Sequence, residues 1–516
     1  MKFFNKAALA ALASGAAFPA LAQEAMSLDE KVNQTFAQFT GPFVNLIFAP
    51  LPGTSFPWIV LWLVVAATVF TIYFSFVQIR FFTHSISLVK GDYSDPDDAG
   101  EVSHFQALAT ALSGTVGLGN IAGVAVAVGI GGPGATFWMI LAGLLGMASK
   151  FTECTLGVKY RNEYPDGTVS GGPMYYMKKG FQERGLPGGG FLAILFSIFC
   201  ILGALGGGNM FQANQAHAQI TQITGDFPGW ITGIIFAAVV FAVIVGGIKS
   251  IAKVTEKIVP IMGILYVGAA LIILLVNYDQ IGWAFGQIFA GAFTGLGVAG
   301  GFVGALIQGF KRAAFSNEAG VGSAAIAHSA VRTKEPITEG FVSLLEPLID
   351  TVVICTMTAL VITISGQLIF DAEAGVYILN EAGSAIATVG DTSGVALTSA
   401  AFASGISWFP YVLAIAVVLF AFSTMISWSY YGLKAWTYLF GEGKISELTF
   451  KIIFCIFIVI GAAASLGPVI DFSDAAIFAM AVVNITALYF LMSIVREELR
   501  SYSARLKSGE IKKFAH

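Results

Sequence analysis

Apolar residues gather into eleven long runs separated by short polar stretches, near 57–79, 105–128, 134–158, 191–222, 229–248, 258–276, 283–310, 338–365, 405–437, 450–467 and 471–494. A helix that crosses the hydrocarbon core of a bilayer needs about 20 mostly apolar residues, and the runs predict such helices. Between Arg184 and Lys249 the only charged residue is Asp226, so that stretch holds two spans. At the N-terminus Lys2 and Lys6 precede an Ala-rich run that closes on Ala20-Leu21-Ala22. This is the pattern of a signal peptide, 1–22, and the run is short and interrupted by Pro19 for an anchor helix. Residues 23–56 then form an external or interfacial segment and 57–79 a peripheral span, and 495–516 are a tail.

The basic residues sort with this layout. With the mature N-terminus outside, 24 of the 27 Lys and Arg fall on cytoplasmic sides, at Arg80–Lys90, Lys150–Arg184, Lys249–Lys257, Lys311–Lys334, Lys434–Lys451 and the tail. That is the positive-inside pattern of a multi-pass membrane protein with a cytoplasmic C-terminus, and the expected location is the cell inner (plasma) membrane. The polar loop from Gly366 to Ser404 is external. Setting the peripheral span aside leaves two sets of five, 105–276 and 283–494. Five is odd, so the second set starts from the opposite side, which is the geometry of an all-α inverted repeat.

Composition agrees: 56% of residues are hydrophobic and 11% charged, against roughly 25% charged in soluble domains. A soluble enzyme is excluded. The net charge of -4 gives no field for nucleic acid. Cys154, Cys200, Cys355 and Cys455 are scattered through apolar segments and read as packing residues. The five histidines show no metal spacing, and no hydrolase constellation is present, so neither an enzyme nor a cofactor is expected.

Candidate chemistry lies where apolar runs carry polar residues and glycine. The first run of the first set contains Ser113-Gly114-Thr115-Val116-Gly117-Leu118-Gly119-Asn120, and the first run of the second set, Trp283 to Phe310, contains eight glycines. Glycine lowers helix stability by about 1 kcal/mol against Ala, and unwound backbone at membrane depth is tolerated only where it lines protein or water. A broken helix is therefore expected in each half, with close packing through small residues as the alternative. Gly117-Leu118-Gly119-Asn120-Ile121-Ala122 also fits G-x-G-x-x-A, but no strand precedes it and no acidic residue follows at the required distance.

Four passages resemble the bacterial sodium:alanine (alanine or glycine:cation) symporter family: Phe105 to Leu112, Val116 to Gly123, Gly131 to Met139, and Phe315-Ser316-Asn317-Glu318-Ala319-Gly320-Val321-Gly322-Ser323. The resemblance runs from about 57 to 495. Ile140 and Lys311-Arg312-Ala313-Ala314 depart from the family's usual residues. The resemblance implies a LeuT-like fold of five plus five helices and import of alanine or glycine with sodium by alternating access. A proton-coupled amino acid transporter, and more distantly an ion channel, are the alternatives.

A zwitterion needs partners for both charges. The free N–H groups of a half-helix suit its carboxylate, and released carbonyls suit a cation. Ser113, Thr115, Gly117, Gly119 and Asn120 are the candidates at the break. Asn209 and Gln212, three apart on one helix face, add amides, while Phe211 and Trp428, with Met425, wall a small pocket. For sodium the candidates are Ser113 and Val116 together with Ser423, Thr424 and Ser427, since Ser423 and Ser427 are one helical turn apart. Ser and Thr that only bond their own helix carbonyls are the alternative. Glu346 and Asp350, four apart, and Glu318, paired with Lys311 or Arg312 at the cytoplasmic mouth, are expected to gate or brace the fold rather than to carry protons.

Overall fold

The computed structural model describes residues 28–95, 97–165, 167–294, 301–368, 370–371, 376–377 and 394–513. Residues 1–22, read from the sequence as a signal peptide, Gly295, Gly297 and Gly300, and most of the loop between Gly366 and Ser404 lie outside the described residues. The helices are α1 (Leu28–Ile47), α2 (Trp58–Tyr73), α3 (Phe82–Val89), α4 (His104–Thr115), α5 (Gly119–Gly131), α6 (Gly134–Lys159), α7 (Pro173–Glu183), α8 (Gly189–Thr224) and α9 (Gly229–Ile244). They continue as α10 (Gly247–Val276), α11 (Tyr278–Thr294), α12 (Gly301–Asn317), α13 (Ser323–His328), α14 (Pro336–Ile364), α15 (Val395–Gly405), α16 (Phe409–Phe440), α17 (Lys444–Ala463) and α18 (Leu466–Ser508). Two short antiparallel strand pairs decorate loops, Asn162–Glu163 with Val169–Ser170 and Phe370–Asp371 with Val376–Tyr377.

Seven of these helices are individually long and apolar enough to span a membrane, and α4 with α5 forms an eighth, bent by 49° at its break. Large apolar side chains such as Ile235 on α9, Ile264 and Leu275 on α10 and Ile415 on α16 are exposed. A water-soluble protein would bury them, whereas a bilayer solvates them. The interior inverts the usual pattern, with polar and charged side chains fully enclosed, among them Lys150, Glu153, Arg312, His328, Glu339, Glu346, Asp350 and Asp474.

Two discontinuous helices run antiparallel through the centre. One is α4–α5; the other is α12–α13, interrupted between Asn317 and Ser323. The start of α4 meets the end of α13, where Glu101 N–H donates to Ala330 O and Arg332 N–H donates to Val102 O, both at 2.8 Å. At the opposite end Gly131 of α5 abuts Gln308 of α12. This antiparallel pairing is the inverted-repeat arrangement expected from the two odd-numbered sets.

The second break is not where glycine density suggested. Trp283 to Phe310 belongs to two helices, α11 and α12, and the interruption falls at Glu318–Gly322, inside a stretch read as cytoplasmic loop. Glu318 adopts φ +56°, Gly320 +81° and Gly322 +93°, a left-handed run that ends α12 outright. Three basic residues counted on the cytoplasmic side are inside the bundle. Lys150 is on α6, and Lys311 and Arg312 are on α12, where both pair with Asp474 of α18 and not with Glu318. Most other basic residues do collect at one end of the molecule, tied by ion pairs such as Lys159–Glu498 at 2.6 Å, Arg184–Glu497 at 3.1 Å and Lys334–Asp95 at 3.2 Å. This end, shared by the start of α4 and the end of α13, is the basic face.

Candidate functional site

The first break is held open by side chains from two other helices. At Val116 the backbone leaves helical geometry, with ψ of 83°, and the next two N–H groups have no helical acceptor. Gly117 N–H donates to Asn120 Oδ1 at 2.9 Å and Leu118 N–H to Gln212 Oε1 at 3.1 Å. Position 117 has to be glycine, because a Cβ there would overlap Thr424 Oγ1. On the other side of the break the last carbonyls of α4 meet hydroxyls of α16. Thr424 Oγ1 donates to Ser113 O at 2.9 Å, and Ser427 Oγ lies 3.0 Å from both Thr110 O and Ser113 Oγ. Ser113 Oγ in turn donates to Ser423 O at 2.6 Å.

The structure brings Ser113, Ser423, Thr424 and Ser427 together; the hydroxyls of Ser113, Thr424 and Ser427 reach across helices, whereas Ser423 takes part through its carbonyl and its hydroxyl donates back to Phe420 O at 3.0 Å. The Thr115 hydroxyl likewise returns to its own helix, to Ala111 O at 3.3 Å and Leu112 O at 3.4 Å. Gly119 brings α5 within 3.3 Å, measured from an ideal Cβ, of the Ser316 backbone on α12.

On α8, Gln212 joins the site and Asn209 does not. Gln212 uses its oxygen on Leu118 and its amide on Gly207 O at 2.9 Å. Asn209 donates away from the centre to Phe454 O of α17, at 2.7 Å. The reason is a π-turn at Gly206–Met210, which inserts a residue into the helical repeat and turns Asn209 off the face it would share with Gln212. Phe211 packs edge-on against Phe315, with ring centroids 5.2 Å apart, two residues before α12 ends.

Trp428 lies across Gly208, whose Cβ, if present, would overlap the indole. Its Nε1–H donates to Glu318 Oε1 at 3.0 Å, and Ser323 Oγ donates to the other Glu318 oxygen. Glu318 is thus the polar anchor of the second break and of Trp428. Asp350 ties the two breaks together, accepting from Asn120 Nδ2 at 2.6 Å, Ser316 Oγ at 2.9 Å and Thr351 Oγ1 at 2.7 Å. Glu346 lies instead among His328 and Lys150, in a group of charges that spacing alone did not reveal. The junction is sealed: Ser113, Asn120, Gln212, Thr424, Ser427 and Trp428 are each at most 3% exposed.

Chemically, the site offers two N–H groups covered by neutral amide oxygens and, about one helical turn away, a convergence of carbonyl and hydroxyl oxygens. The first suits an anion and the second a hard cation. Residues 22–516 match the family model described as the sodium:alanine symporter family. The sodium/alanine symporter AgcS of Methanococcus maripaludis is 38% identical over 91% of this chain and 99% of its own length. The probable sodium/glutamine symporter GlnT of Bacillus subtilis is 34% identical over 87% of this chain and 89% of its own. Among solved structures, MhsT in complex with L-phenylalanine is similar in fold, with a TM-score of 0.51 at 16% identity, covering 75% of this chain and 89% of that one. With two broken helices crossing in antiparallel and a family match over nearly its whole length, the chain is a multi-pass amino acid–cation transporter, not an enzyme, and belongs to the sodium:alanine symporter family.

Proposed function

We propose that the protein imports a small neutral amino acid, alanine or glycine, together with sodium by alternating access across the inner membrane. The basic face is cytoplasmic, the mature N-terminus lies outside after removal of 1–22, and the tail 495–516 lies inside. The observation that carries this reading is the pair of N–H groups at the first break. Gly117 and Leu118 are held by the amide oxygens of Asn120 and Gln212, neutral acceptors that a substrate carboxylate displaces without leaving a buried charge behind. Sodium is ligated by the carbonyls of Ser113 and Val116 with the hydroxyls of Thr424 and Ser427, and Ser423 supports them through Ser113. The similarity to both an alanine and a glutamine symporter supports a shared backbone site whose walls select the side chain. Here Trp428 and Phe211 supply bulky walls, which favours small substrates.

Purified protein in liposomes, with sodium and pH gradients imposed separately, tests the coupling. A sodium gradient is expected to drive alanine accumulation, and a pH gradient alone none. Accumulation by a pH gradient without sodium would transfer the reading to a proton-coupled carrier, and non-saturable flux without counterflow to a channel.

A further inference from the structure

On the basic side of the second break, six ionisable side chains form one file. His104, at the start of α4, points Nδ1 at one oxygen of Glu339 on α14, and the other Glu339 oxygen faces Nδ1 of His328 at the end of α13. Nε2 of His328 lies 2.6 Å from one oxygen of Glu346, and the other Glu346 oxygen lies 3.1 Å from Lys150 Nζ on α6. Lys150 is 3.9 Å from Glu153, which accepts from Asn484 of α18 at 2.9 Å. His104 is 2% exposed and the other five ionisable groups are wholly buried.

His328 is the informative member. A neutral imidazole carries hydrogen on one ring nitrogen and a lone pair on the other. Between two ionised carboxylates, that lone pair would face a carboxylate oxygen with nothing between them. Hydrogen-bond contact at both ring nitrogens therefore requires one proton more than a neutral ring and two carboxylates contain. His104 makes no such demand, since a neutral ring donates its single N–H to Glu339.

The surroundings agree. Around His328 stand Glu339 and Glu346 from α14, Lys150, Glu153 and the Cys154 thiol from α6, and His104 from α4. Tyr176 of α7 donates to Asn484, Tyr431 of α16 sits against Gly114, and Glu318 in the second break accepts from Ser323 at the start of α13. Arg161, beyond α6, donates to the carbonyls of Ser329 and Val331. The file holds three carboxylates and one permanent cation, Lys150, which faces Glu346 and Glu153, so a protonated His328 supplies a second positive charge where burial makes an unbalanced one costly.

These residues belong to α4, α6, α13 and α14, the elements that separate the site from the basic face. Opening a path to that face has to part α4 and α13, already joined to each other through Val102 and Ala330. Once His328 separates from its carboxylates, water reaches them and the extra proton passes to solvent. Closing takes one back. We propose that Glu339, His328 and Glu346 form a proton-binding site loaded and emptied from the basic face, so that sealing that face consumes one cytoplasmic proton per cycle and none crosses the membrane. The proposal rests on the alternating-access reading and on that face being cytoplasmic.

The test uses vesicles of one orientation, a fixed sodium gradient and alanine uptake, with internal and external pH stepped separately. The uptake rate is expected to fall, by up to about tenfold per pH unit above the site's midpoint, as internal pH rises, the slope of a single proton, and to ignore external pH. Glu339→Gln lets the amide donate to a neutral His328 and accept from His104, so uptake persists with a flat internal pH profile; Glu346→Gln is the second variant should the first not fold. A flat profile in the unmodified protein, equal sensitivity on both sides, or an unchanged profile in the folded variant overturns the proposal. Nitrogen-15 histidine spectra of the purified protein, with His328 identified by its loss in His328→Gln, separate the two readings. Doubly protonated His328 without sodium-driven uptake sinks the symport reading alone, whereas a neutral ring in a sodium-driven carrier whose uptake ignores internal pH sinks the proton site.

Discussion

The junction at the first break and the ionic file beside the second are both sealed from water and both cross-link several helices, yet they are built from opposite materials. The junction uses hydroxyls, amides and main-chain groups: Ser113, Asn120, Gln212, Thr424 and Ser427. The file uses Lys150, Glu153, Glu339 and Glu346 with two histidines. A neutral hydrogen bond contributes about 0.5–1.5 kcal/mol net, so a substrate carboxylate or a sodium ion exchanges for such partners at small cost. Charges in a file lack that freedom, because losing one leaves another buried and unpaired. The difference teaches where binding and where closure reside. On the proposed reading, ligands exchange at the neutral junction and the charged file holds the bundle shut on the basic side.

The comparison breaks most visibly if single substitutions in the two regions behave alike. Lys150→Met strands Glu153 and leaves Glu346 with His328 alone, and it is expected to destabilise the protein by about 3–5 kcal/mol, seen as a large drop in the thermal midpoint of the detergent-solubilised protein. Adding Glu346→Gln should restore part of that loss. A midpoint for Lys150→Met close to that of the unmodified protein would mean the file is not a closed ionic unit.

The junction should respond more gently and in a different observable. Thr424→Ala removes one hydroxyl that reaches Ser113 O, and the sodium concentration for half-maximal uptake is expected to rise about threefold to tenfold, the range of a single hydrogen bond. Its thermal midpoint and membrane insertion should stay near normal. An unchanged sodium requirement would remove Thr424 from the cation site.

The smallest effect lies outside the spanning helices. Nε2 of His84 on α3 lies 2.9 Å from the Tyr502 hydroxyl in the C-terminal part of α18. Burial, with the nearby Lys513 charge, lowers its pKa from 6.5 to about 4. Because the folded value is depressed, the stability linked to His84 is intact above about pH 6.5 and drains away as pH falls towards 4. Proteolysis of the tail should therefore increase modestly over that window, and His84→Gln should flatten the response. Equal acid sensitivity in both proteins would place the titrating group elsewhere.

How far the sequence foretold these regions follows from the same contrast. The neutral junction was legible because its signals are local: Ser113 to Asn120 interrupts an apolar run with glycine and polar atoms, and Ser423 and Ser427 repeat at one helical turn. The second break was missed because Glu318, Lys311 and Arg312 resemble a loop when met in order. Only folding shows Arg312 spent on Asp474 and Glu318 on Trp428. The file was missed for a similar reason. Lys150 and Glu153 read as the polar end of a span, and His104, His328 and Glu339 lie on three separate elements whose meeting depends on α4 and α13 running antiparallel. Asn209 was misread because a π-turn, invisible to a regular helical period, rotates it towards α17.

The central claim is that amino acid and sodium meet at the first break, and it is tested most directly by binding alone. Alanine affinity of the purified protein, measured by calorimetry across a sodium series, should strengthen with sodium, and sodium affinity should strengthen with alanine by the same factor, as linkage requires. In Thr424→Ala/Ser427→Ala this mutual dependence should collapse while alanine still binds weakly. Alanine binding that is indifferent to sodium, or a double variant with the full mutual dependence, would contradict the account.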